Sequence, residues 1–183
     1  MPIMPKRTGY KTITLICAFL ALPVGVHAEE EIDADAWFGD WSVFIDSGDC
    51  WLASHPIDMS QQAIEDVTLF VAFHQRSMNS EISVLFECGL VDVSDVEVTL
   101  DSKAYSLNVY EDTAFTSASE NTEILKKMLL AKQTSISFST LAETFNDLAI
   151  GYGGFRDAYN FTNEHCGFFK NNDLDGDQKR EPI

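Results

Sequence analysis

Apolar and polar residues alternate at every second position along most of this chain, the period of a half-buried β-strand. In residues 41–45, Trp41, Val43 and Ile45 fall on one side, Ser42 and Phe44 on the other. Ser47-Gly48-Asp49 then supplies turn chemistry, and a second strand opens at Cys50-Trp51. Residues 67–74 (VTLFVAFH) are apolar on both sides, which predicts a central strand covered twice. Residues 81–88 place Ile82, Val84, Phe86 and Cys88 inward. Residues 95–101 do the same with Val96, Val98 and Leu100, turn at 101–103, and return through Tyr105, Leu107 and Val109. Strands are also predicted at 134–141 and, less regularly, at 143–150. Residues 56–66 are polar and read as a loop.

The period lengthens to that of a helix in two places. Ile124, Leu125, Met128 and Leu129 share a stripe within about 119–132, where Ser119 is placed to cap the first turn. Phe155, Ala158, Tyr159, Thr162 and Cys166 share a face over 155–166, after a glycine-rich hinge at 151–154. The pattern predicts a mainly β fold: an antiparallel β-sandwich-like single domain with two α-helices, at about 119–132 and 155–166.

Composition adds an address. Lys6, Arg7 and Lys11 precede an apolar run from 12 to 24, and Val26-His27-Ala28 forms a small-residue exit. That is the layout of a signal peptide over 1–28. Residues 29–36 read as a flexible acidic lead, 37–168 as the folded domain, and 169–183 as a disordered acidic tail. The expected location is the periplasm or beyond, in a bacterium, with no stable transmembrane anchor after cleavage. The leader holds no acid and three of the 12 bases, so the mature chain carries nine bases against 29 acids, a net charge of −20. Such a surface repels nucleic acid and anionic lipid.

Candidate chemistry is sparse. Of four cysteines, Cys17 leaves with the leader, so Cys50, Cys88 and Cys166 remain, one pair and one leftover. Joining Cys50 to Cys166 closes nearly the whole domain, and Cys88 sits in the inward phase of its strand, where a free thiol is a small hydrophobe. There is no CxxC. His55, His74 and His165 make no metal-ligand spacing, and Ser54 lacks the G-x-S-x-G setting of a nucleophile. Asn171, Asp173, Asp175 and Asp177 around Gly176 copy the first half of a calcium loop, but Pro182 stands where a bidentate Glu is needed. No catalytic residue and no cofactor is implied, and the chain is not expected to be an enzyme. Trp51 reads as core beside the disulfide.

An ordered set of features resembles the invasion-associated locus B family of exported bacterial proteins. It comprises Trp41, Val43, Phe44, Cys50, Trp51, Ser54 and Pro56; the strand Leu69 to Val71; and Glu81 with Ser83. The helix before TSISFST and the closing Gly154, Phe155, Ala158, Tyr159 and Cys166 complete it. The resemblance covers roughly residues 37–166. It implies a β-rich sandwich-like domain, export, and a Cys50–Cys166 bond, and it carries over no catalytic residues. Cys88, a long approach over 146–154 and the acidic tail depart from the pattern. The expected function is that of a non-enzymatic envelope protein that binds an unknown envelope protein or small ligand. The alternative is a periplasmic small-molecule or peptide-binding module with a pocket lined by Trp41, Trp51 and Phe70. An enzyme of unrecognised type ranks below both.

Overall fold

Two antiparallel sheets organise the chain from Ala34 onward. A computed structural model describes residues 33–58, 64–74, 79–87, 90, 92–151 and 153–167. Residues 1–28 (read above as a leader), Cys88, and the tail with Asn171, Asp173, Asp175 and Asp177 lie outside the described residues.

In chain order the first strands are β1 (Ala36–Phe38), β2 (Trp41–Asp46), β3 (Asp49–Ser54), β4 (Pro56–Ile57), β5 (Val67–His74) and β6 (Asn79–Phe86). Then come β7 (Ser94–Leu100), β8 (Lys103–Ser106), β9 (Asn108–Tyr110) and β10 (Thr113–Phe115). Helix α1 (Asn121–Met128) precedes β11 (Thr134–Ser139) and β12 (Thr144–Ile150), and helix α2 (Phe155–Cys166) follows. One sheet has seven strands in the order β1-β2-β3-β5-β6-β10-β9, and the other five in the order β4-β12-β11-β7-β8. This is the expected mainly β sandwich with two helices.

The period-2 pattern explains which face is buried. Val43 pairs Leu52, Leu52 pairs Val71 and Val71 pairs Ile82, so these four side chains stand on one face of the large sheet. All four are fully buried. Each such aliphatic contributes ~1.5–3 kcal/mol relative to exposure. The smaller sheet answers with Val96, Val98, Leu100, Ile136 and Phe138, and Phe86 meets Phe138 edge-on at 5.0 Å between centroids. Helix α2 covers the other part of this inner face. Phe155 packs on Trp41, Tyr159 on Phe73 and Phe161 on Phe38. Its buried residues are the predicted ones: Phe155, Ala158, Tyr159, Thr162 and Cys166.

Five details differ from the sequence reading. Asp35 and Ala36, assigned to a flexible lead, are held: Asp35 N donates to Val43 O at 2.8 Å, its carboxylate accepts from Ile45 N, and Ala36 opens β1. Pro56 and Ile57, read as loop, pair with Ile150 and Ala149 across the sandwich. The strand through Tyr105, Leu107 and Val109 is two strands. β8 belongs to the small sheet and β9 to the large one, and Leu107 makes the corner between them. β10 went unread because three residues carry too little periodicity. Helix α1 is shorter than 119–132. Glu120, not Ser119, is its N-cap and makes no side-chain cap bond. Its far end stops because other groups take its exit: Arg156 Nη2 donates to Leu129 O at 2.6 Å, and Asp101 Oδ1 accepts from Lys132 N at 2.8 Å and Gln133 N at 3.2 Å.

Candidate functional site: the outward face of the large sheet

The residues that alternate with the core build a second surface. Ser42 pairs Ala53, Ala53 pairs Phe70, Phe70 pairs Ser83 and Ser83 pairs Phe115. One row over, Phe44 pairs Trp51, Trp51 pairs Ala72 and Ala72 pairs Glu81. Directly paired residues share a face, so both rows point away from the core. Trp37 joins the first row through Ser42, and Tyr110 joins a third through Thr113 and Leu85. Six aromatic rings therefore stand on the outward face: Trp37, Phe44, Trp51, Phe70, Tyr110 and Phe115. Trp37 is 60% exposed and Tyr110 69%, and the other four are half-buried. Ser42, Ala53, Thr68, Ala72 and Ser83 are small and sit between the rings.

Carboxylates stand within this face and at its rims. Asp46 and Asp49 end the β2–β3 hairpin, Glu81 lies on β6, and Asp66 with Glu87 continues the outward phase at the opposite strand ends. His74 Nδ1 lies 3.4 Å from Asp49 Oδ2. Burial raises the Glu87 pKa above its ordinary value; His55 opposes this, while Asp66 and Glu65 add to it. Among the described residues, every Lys and Arg lies elsewhere: Lys103 on β8, Lys126, Lys127 and Lys132 on α1 and its exit, and Arg156 on α2.

This corrects the reading of Trp51 as core. Neighbours on a strand point to opposite faces, so buried Cys50 sends Trp51 outward. The pocket expected from Trp41, Trp51 and Phe70 is not assembled either. Trp41 is buried on the inner face against Phe155, whereas Trp51 and Phe70 are diagonal neighbours on the outer one. The cleft between the end of α1 and the start of α2 holds about 210 Å³ and involves none of these three residues.

Other sequence candidates are dispersed. Ser54 is buried in the inner phase, and the adjoining His55 Nδ1 lies 3.1 Å from Val67 O and 3.3 Å from Thr68 Oγ1. His165 Nδ1 lies 2.7 Å from Phe161 O. Among the described residues no group of three or more His, Cys, Asp or Glu is placed to hold a metal ion. Cys50 and Cys166 form a disulfide with 6.4 Å between Cα atoms. Sequence reasoning missed the outward aromatic face, although Phe44, Trp51 and Phe70 in outward phase were its signal. The remaining register could not be read before β1, β9 and β10 were placed.

The fold defines a class: an antiparallel β-sandwich stapled by a disulfide between β3 and the end of α2. Among solved structures, the chain is similar to the crystal structure of invasion associated protein B from Bartonella henselae. The two are 13% identical, the match covers 69% of this chain and 94% of that one, and the TM-score is 0.51. That likeness is one of fold. No family model matches the chain, and no curated protein matches it. Among the described residues no helix is long and apolar enough to cross a membrane.

Proposed function

We propose that the protein is an exported, non-enzymatic component of a bacterial envelope that acts by binding a partner through the outward face of its large sheet. The observation that carries this reading is the set of six aromatic rings on one sheet face, two of them more than half exposed. Apolar rings left in water on one contiguous face cost solubility and favour association with something that covers them. Export is supported by the leader pattern of residues 1–28 and by the Cys50–Cys166 bond, since disulfides persist in oxidising compartments. The fold likeness to invasion associated protein B is consistent with an envelope address.

The test is capture from envelope extract with the mature, oxidised chain as bait. A partner should be retained reproducibly, and should be lost from bait carrying Trp37→Ala and Tyr110→Ala. Reproducible absence of any partner counts against the reading.

A further inference from the structure

This inference rests on the partner-binding reading and names the chemistry of the partner. We propose that the outward face of the large sheet receives a cationic polypeptide segment, extended across the strands, with its Arg and Lys side chains seated on the aromatic rings between carboxylates.

Charge is the first argument. The face presents six rings together with Asp46, Glu81, Asp66 and Glu87, and no described Lys or Arg stands on its strands. An aromatic face attracts cations through the ring quadrupole, and nearby carboxylates add to the pull. A nucleic acid or an anionic glycan meets the wrong sign here. A neutral glycan could stack on the rings but would leave the carboxylates without a counterpart.

The molecule contains a small version of the same recognition. On the other sheet, Lys103 Nζ stands 4.6 Å from the Tyr105 ring centroid and 2.6 Å from Glu123 Oε1, and Tyr105 OH donates to that oxygen at 3.0 Å. Ring, carboxylate and ammonium close a complete set. On the outward face the ring and carboxylate parts recur with no described Lys or Arg; the titratable bases there are His55 and His74, the latter 3.4 Å from Asp49 Oδ2.

Dimensions give the third argument. Trp37 and Tyr110 stand on the two edge strands of the seven-stranded sheet. Six inter-strand spacings separate them, roughly 29 Å at ~4.8 Å each. An extended segment of about nine residues spans that distance. The small residues between the rings are themselves buried, so the segment would lie on the rings rather than between them.

The experiment titrates the mature, oxidised protein with three synthetic nonapeptides in which serine alternates with arginine, glutamine or glutamate, and with a neutral oligosaccharide. Indole fluorescence reports directly, because Trp37 and Trp51 face outward while Trp41 is buried. The arginine peptide should bind saturably and roughly tenfold more tightly than the glutamine peptide, with affinity falling as salt rises. Trp37→Ala with Tyr110→Ala should weaken it about tenfold. Glu81→Gln should weaken it and flatten its salt dependence. Leu130→Ala and Leu141→Ala, exposed but off this face, should change nothing. Far-UV circular dichroism checks that each variant is folded. Equal binding of the three peptides, binding of the oligosaccharide alone, or indifference to the aromatic variants overturns the inference. If envelope capture succeeds while the peptide arm fails, partner binding stands and the cationic assignment falls. If the peptide binds and capture fails, the preference of this face for cationic chains stands and the envelope-partner reading falls.

Discussion

The indole Nε1 of Trp41 donates a hydrogen bond to the backbone carbonyl of Gly151 at 2.9 Å, joining the second strand to the segment that enters the last helix. Beside it, Asp40 N donates to Gly153 O at 2.8 Å and Asp40 Oδ2 accepts from Gly153 N at 3.1 Å. The glycine-rich stretch read as a hinge is thus clasped against the β1–β2 turn. Trp41→Phe keeps most of the ring packing on Phe155 but leaves the Gly151 carbonyl without this donor. It should lower unfolding free energy by ~1–3 kcal/mol. Urea denaturation of the two proteins measures the difference, and a shift below the error of the fit would remove this bond from the account.

Gly154 is a more severe test of the same clasp. Its φ is +97°, a region that side chains rarely enter, and a Cβ there would overlap the carbonyl oxygen of Phe38. Backbone cannot swing aside as a side-chain tip can. Gly154→Ala should therefore cost several kcal/mol, ~2–4, by forcing α2 off β1. Gly167, with a φ of +65° at the exit of α2, has nothing within 4 Å of a built Cβ. Gly167→Ala should cost less than Gly154→Ala in the same thermal melt.

Covalent closure acts on the other end of that helix. The Cys50–Cys166 bond spans 116 residues of sequence. In the loop-entropy account, closing a loop of that size restricts the unfolded chain by ~4–5 kcal/mol. Cys50→Ala with Cys166→Ala should lose about that much, and reduction of the native protein should lose a similar amount. Non-reducing peptide mapping should recover the 50–166 link from oxidised protein. A link from Cys50 to Cys88 instead would refute the pairing.

Where a strand was long and buried on one face or both, the sequence showed it plainly. β5 reads as a central strand covered twice because both phases of 67–74 are apolar; it is central, but Phe70 stands on the outward face, so only the inner phase is covered by a second layer. α2 was legible to the residue because its buried set follows the i, i+3, i+4, i+7 spacing without interruption. Illegibility began where structure depended on distant partners. Pro56 and Ile57 become a strand only because β12 arrives beside them. α1 ends early because Asp101, some 30 positions away, binds the amides that follow it. The outward face was hidden for a related reason. Phase along one strand says only that Trp51 opposes Cys50, and pairing with β2 and β5 is what gathers Trp51, Phe44 and Phe70 together.

Tyr159 ties stability to alkaline pH. Burial against the inner face of the large sheet, with its ring 5.9 Å from that of Phe73, pushes its pKa up to about 12 from the ordinary value of 10.0. A raised pKa means that the folded state holds the phenolic proton more firmly than the unfolded chain does. The contribution is complete below pH ~10, where neither state is ionised, and is lost as pH rises from there toward 12. Unfolding free energy should fall more steeply over that window in the native protein than in Tyr159→Phe. Parallel slopes would show that the hydroxyl is not the group responsible.

Aromatic residues on the two faces of the large sheet should answer substitution in opposite ways. Inner rings such as Phe73 are fully enclosed, so Phe73→Ala removes transfer energy and opens a cavity, a loss of ~3–5 kcal/mol. Trp37 and Tyr110 stand on three-residue edge strands with most of their surface in water. Trp37→Ala and Tyr110→Ala forfeit little burial, and each should shift unfolding by less than ~0.5 kcal/mol. If that contrast holds, the outward rings are dispensable to folding, and a residue that costs solubility without aiding the fold points to contact with another molecule. If instead either edge substitution destabilises as strongly as Phe73→Ala, those rings belong to the fold, and the outward face loses its standing as a binding surface.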